Sequence, residues 1–141
     1  MDAFGGKSSA VQDQLTNVQQ IQDTQLAFAA IRPDGSTVTW GSSQHGGDSS
    51  AVQDQLKDVQ QIQATGLAFA AILGDGSVVT WGEADFGGDS SAVQGQLQNA
   101  QQIQATQFAF AAVLGDGSVV TWGEAGKGGD CSAVQNHLMV V

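Results

Sequence analysis

Few residues in this chain could do chemistry. It has two histidines, His45 and His137, one cysteine, Cys131, and 14 acidic against 4 basic side chains. Nucleophilic catalysis needs a Ser, Cys or Thr beside a base that a third group orients. No spacing here proposes such a set, because the two histidines occupy non-equivalent repeat positions. Cys131 aligns with Ser8, Ser49 and Ser90 and reads as a small-residue replacement in a turn. Asp34, Asp75 and Asp116 lie before Gly35, Gly76 and Gly117, a pattern that a calcium loop also uses. One carboxylate per turn cannot gather the roughly six to eight oxygens calcium takes, so these are read as hairpin residues. Asp48, Asp89 and Asp130 precede predicted helices, where negative charge is favourable. The chain is therefore read as no enzyme, with no cofactor and no metal.

What must position any site is a repeat. Trp40, Trp81 and Trp122 recur at a spacing of 41 residues, as do the double-glycine turns opening at Gly46, Gly87 and Gly128, with Gly5 beginning a further copy. A fixed period in this range marks an array in which each unit buries its faces on its neighbours. The units expected are about 5–45, 46–86 and 87–127, with a partial fourth over 128–141, all in one repeat domain 1–141. In the second unit, Ser50 and Gln53 have capping-box spacing, and Val52, Leu56 and Val59 form an apolar stripe. That predicts a short helix of about two turns, held by packing. Ile62 and Ala64 then alternate with glutamines as a strand with one polar face, broken at Gly66. The run Leu67 to Leu73 is apolar on both faces and predicts a strand buried on both. Asp75-Gly76 predicts a hairpin turn, and Val78 to Trp81 the return strand. The alanines at 29, 30, 70, 71, 111 and 112 predict close sheet contact. The third unit reads the same way, and in the first Arg32-Pro33 precedes the turn without changing the topology.

Composition narrows the partners. The net charge is −10, and Lys7, Arg32, Lys57 and Lys127 are scattered. A nucleic-acid binder needs a basic stripe, so nucleic acid is not expected. No apolar run is long enough to span a bilayer, and the N-terminal MDAFGGKSS lacks a secretory pattern. A single cysteine fits a reducing compartment, so an intracellular location is favoured, with a processed organellar form left open.

The segment Ala68-Phe69-Ala70-Ala71-Ile72, the turn Asp75-Gly76 and the stretch Val78 to Gly82, with their counterparts in the other units, resemble the repeat of the regulator of chromosome condensation family. The resemblance covers nearly the whole chain. It implies a β-propeller blade and a protein-binding role. The family's G-Q-L-G after the tryptophan strand is replaced by Gly-Gly-Asp-Ser-Ser, and its histidine before the small-apolar strand is absent. The unit is also shorter than the family's four-stranded blade and similar to the three-stranded blade of the propeller-type beta-lactamase inhibitor. Nucleotide exchange is not carried over, since it relies on an insertion this chain lacks.

The fold class expected is mainly β with short helices, as propeller-like blades in an open or incomplete arc. Members of the resembled family close rings of about seven blades, which three units cannot do. In a head-to-tail pair, the predicted Ser132–Leu138 helix of one copy would compete with Ser9–Leu15 of the other, which favours an arc that caps itself or docks on something larger. The segment after each tryptophan varies: Ser42 to His45, Glu83 to Phe86, Glu124 to Lys127. Position 25, 66 or 107 varies too. Glu83, Asp85, Phe86 and Glu124 are the candidate contact residues, with solvated loop drift as the competing reading. The function expected is a non-catalytic protein-interaction module, its partner a basic-surfaced protein or a larger assembly. The alternative is a structural accessory subunit or self-associating unit, hence a homo-oligomer.

Overall fold

The computed structural model describes residues 11–124. Cys131, His137, Lys7, Lys127 and the predicted Ser132–Leu138 helix lie outside them. Among the described residues, nine strands form three antiparallel three-stranded sheets, each in simple meander order. Blade 1 is β1 (Gln20–Asp23), β2 (Ala27–Ile31) and β3 (Thr37–Gly41). Blade 2 is β4 (Val59–Ala64), β5 (Ala68–Leu73) and β6 (Val78–Gly82). Blade 3 is β7 (Ala100–Ala105), β8 (Ala109–Leu114) and β9 (Val119–Gly123). The first strands of successive blades adjoin one another and form the inner edge of the array.

Each middle strand has two different faces because side chains alternate along it. One face of β5 carries Ala68, Ala70 and Ile72, and the other carries Phe69 and Ala71. Phe69 pairs with Trp81 across β5 and β6, their ring centroids 5.3 Å apart. The alanine face of blade 1 (Ala27, Ala29, Ile31) shares one core with the aromatic face of blade 2 (Ile62, Phe69, Ala71, Trp81). The alanine face of blade 2 is covered in the same way by Ile103, Phe110, Ala112 and Trp122 of blade 3. Small residues on one side let the rings of the next blade lie flat against the sheet. This is why the middle strands are apolar on both faces, as the sequence predicts.

The segment between blades departs from expectation. The two-turn helix after Ser50 is a single 3-10 turn over Gln53–Gln55. Gln53 does not box with Ser50; its amide donates to Ser49 Oγ at 2.8 Å and to the Thr37 carbonyl at 2.9 Å. The segment must cross the blade beside β3, and these side-chain bonds, with Thr39 Oγ1 donating to the Gly47 carbonyl, tie it there. Ties to the strand replace the hydrogen bonds of a longer helix. Leu56 still reaches the core, 1% exposed, but Val59 opens β4 instead of continuing a helical stripe. Asp58 takes a left-handed conformation (φ 55°) at the bend, one that Asn and Asp tolerate. Gly35 is needed opposite it, since a Cβ there would come within 2.9 Å of the Asp58 Cα.

Candidate interaction surface

The β1–β2, β4–β5 and β7–β8 loops and the segments after each tryptophan strand emerge at one rim. The Asp-Gly hairpins emerge at the other. At the first rim the backbone of each loop is fixed by residues common to the repeats. Glu83 N–H donates to the Leu67 carbonyl at 2.9 Å, and Gly88 N–H to the Glu83 carbonyl at 2.9 Å. Thr65 Oγ1 donates to the Phe86 carbonyl at 2.8 Å, as Thr24 Oγ1 does to the His45 carbonyl at 3.1 Å. Ser42 N–H and Glu124 N–H bond Leu26 and Phe108 in the same way. Gly87 closes the turn at φ +100°, where a Cβ would stand 2.5 Å from the Phe110 ring. The scaffold is constant, and the side chains it displays are not.

Those side chains meet across blade boundaries. His45 Nε2 of blade 1 lies 3.9 Å from Glu83 Oε2 of blade 2, a half-exposed pair of little energetic weight. Phe86 lies against Phe108 of blade 3, centroids 5.4 Å apart with the rings tilted by 42°, and packs on the core between blades 2 and 3. Asp85 is exposed, and Glu83 and Glu124 are half-buried. Position 25, 66 and 107 belongs to the same rim and links its blades. Gln25 N–H donates to the Gly66 carbonyl, and Gly66 N–H to the Gln107 carbonyl, both at 2.7 Å. The rim is acidic: Arg32 and Lys57, the basic residues among those described, belong to the hairpin end.

One constellation escaped sequence reasoning. Ser42 Oγ lies 2.7 Å from His45 Nδ1, and Glu83 stands on the other side of the ring. These are the residue types of a hydrolytic triad. The His45–Glu83 separation of 3.9 Å is beyond a hydrogen bond. The N–H groups of Ser42, His45 and Gly47 are already donated to backbone carbonyls and offer no oxyanion site. The Ser42–His45 bond braces the loop. Thr24, Thr65 and Thr106 were also missed, although their recurrence in every unit was the available signal. The hairpin aspartates bind their own turns: Asp34, Asp75 and Asp116 each accept from the Ser hydroxyl two residues on, at 2.6 Å. That hydroxyl, with the same serine's N–H, holds each carboxyl below its ordinary pKa of 3.8.

Solved structures resemble this arrangement. Human WBSCR16 superimposes with a TM-score of 0.54 at 21% identity, over 85% of this chain and 36% of its own. Yeast RCC1 (Prp20), solved bound to Kap60, gives 0.54 at 17% identity, over 77% and 30%. Prp20p from Saccharomyces cerevisiae gives 0.55 at 18% identity, over 77% and 31%. The fold is that of RCC1-type propeller blades. The chain spans about a third of the length of these RCC1-type proteins. No protein-family model and no curated protein matches it.

Proposed function

We propose that this chain is a non-catalytic protein-interaction module whose rim of post-tryptophan loops engages a basic protein surface. The observation that carries this reading is where the repeats differ. The post-tryptophan segment is the longest run of consecutive positions that differ among the three units, and position 25, 66 or 107 varies beside it. Both lie on one rim, over a backbone fixed by constant threonines and glycines. A rigid frame with variable display is how repeat proteins build binding surfaces. Glu83, Asp85 and Glu124 supply the charge and Phe86 an aromatic anchor. Two solved structures of one RCC1-type neighbour, yeast RCC1 (Prp20), support a protein partner: one holds it bound to Kap60, and the other is described with binding properties toward Gsp1p and histones.

The test is an array of Lys/Arg-rich peptides probed with the wild-type chain and with Glu83→Lys/Asp85→Lys/Glu124→Lys. Each exposed charge contact is worth about 0.2–1 kcal/mol, so the triple reversal should weaken binding roughly tenfold or more. Equal retention of the variant, or no basic peptide retained by the wild type, contradicts the reading. A structural, self-associating role has its own observation in its favour, the two blade faces that no blade among the described residues covers.

A further inference from the structure

We propose that a second copy of this chain docks head to tail, the aromatic face of its blade 1 covering the alanine face of blade 3. This goes beyond the rim reading and does not depend on it. The two large apolar side chains exposed among the described residues are Ile21, 53% exposed, and Val113, 37% exposed. They are not arbitrary positions. Ile21 holds in blade 1 the place that Ile62 and Ile103 hold in blades 2 and 3, opposite the second alanine of the pair on the middle strand. Val113 holds in blade 3 the place of Ile31 and Ile72, one residue further along that strand. At the junction of blades 1 and 2, Ile31 and Ile62 belong to one core and are 4% and 0% exposed. At the next junction, Ile72 and Ile103 do the same at 6% and 1%. Among the described residues the chain thus makes one interface twice and leaves its two unused halves at opposite ends.

The rest of each half is also present. Beside Val113, blade 3 presents Ala111, which with Ala109, Gln104 and Thr106 lines a recess of about 120 Å³. Inside the chain, the corresponding alanines share a core with an aromatic pair of the following blade. Blade 1 presents such a pair at the other end: Phe28 and Trp40, both half-buried and stacked at 5.4 Å. The inter-blade hydrogen bonds also stop at complementary groups. Among the described residues the Gln107 N–H has no acceptor and the Gln25 carbonyl no donor, the two groups that the next link of the Gln25–Gly66–Gln107 series would join. At the hairpin end, the Gly35 and Gly76 carbonyls receive Val59 N–H and Ala100 N–H at 2.9 and 2.8 Å, and Gly117 has no described partner there. The chain's own Val141, outside the described residues, and the Val18 of a second copy both hold the repeat place of Val59 and Ala100. An exposed apolar face with a self-complementary other end calls for a heterologous contact, which closes a ring or runs on as a chain.

The test uses Ile21→Asp and Val113→Asp in the full chain, with mass measured by light scattering over a hundredfold concentration range. Both side chains are exposed in the single chain, so circular dichroism should match the wild type. Wild type should grow beyond its 14.4 kDa monomer mass with concentration. Each variant alone should associate about 100-fold more weakly or worse, because every contact would bury an unpaired carboxylate. An equimolar mixture should restore a dimer that grows no further, since each variant keeps the half that the other has lost. A wild type that stays monomeric overturns the proposal. So do single variants that associate like the wild type, or a mixture that stays monomeric while the wild type associates.

Discussion

Leucine placed at one position of the middle strand, in each blade in turn, should have three outcomes that the packing fixes in advance. Ala29, Ala70 and Ala111 lie at the same register, opposite Thr39, Thr80 and Thr121. Ala29 and Ala70 are 0% and 1% exposed, each facing the rings of the next blade. Ala111 is half-buried, with no blade among the described residues over it. If room existed, the added carbons would be favourable by about 2 kcal/mol. In a close-packed junction they must instead push two sheets apart, which costs about 3 kcal/mol. For a chain of this length that is a fall in Tm of roughly 12 °C. Ala111→Leu should stay within about 0.5 kcal/mol of the wild type. Urea and thermal unfolding, followed by tryptophan fluorescence at concentrations where the chain is monomeric, would read all three. Equal damage at Ala111 and Ala70, or a neutral Ala70→Leu, would refute the assignment of faces to junctions.

The tryptophans should divide in the same way. Trp81 is 5% exposed and donates from Nε1 to the Gly46 carbonyl at 3.2 Å across the junction, so Trp81→Phe should cost about 2–3 kcal/mol in chemical denaturation. Trp40 has no such acceptor among the described residues, and Trp40→Phe should cost under about 1 kcal/mol; equal costs would contradict the junction. The hairpin carboxyls predict an acid limb of stability. Their folded pKa values are lowered, so their contribution is present above the unfolded value of 3.8 and is lost as pH falls through the folded values. Asp34→Asn/Asp75→Asn/Asp116→Asn keeps an acceptor oxygen in each turn and removes the titration. Its urea midpoint should therefore fall less than that of the wild type between pH 5 and 2, and parallel falls would count against the turn bonds.

Much of this architecture was legible in the residues. Alternation at Ile62 and Ala64, the two-faced run from Leu67, and Asp-Gly before Val78 specify strand, strand, turn and strand locally, so β4, β5 and β6 follow from short-range pattern. The helix over Val52 to Val59 was misread for a physical reason. Its apolar spacing is real, but Leu56 is drawn into the junction core while Gln53 is held by the Thr37 carbonyl of β3, contacts that no local pattern encodes. The candidate residues were chosen because they vary, which says nothing of where they lie. Their gathering on one rim, and the approach of Ser42, His45 and Glu83, depend on how blades stack and which strand ends share a side. That information sits between repeats and not within one.

The most direct test of the binding surface is amide hydrogen exchange on the chain with and without a retained Lys/Arg-rich peptide. Residues 24–26, 42–46, 65–67 and 83–87 should gain protection, while the hairpin turns at 33–36, 74–77 and 115–118 exchange as before. Protection at the hairpin turns with an unchanged rim would contradict the account.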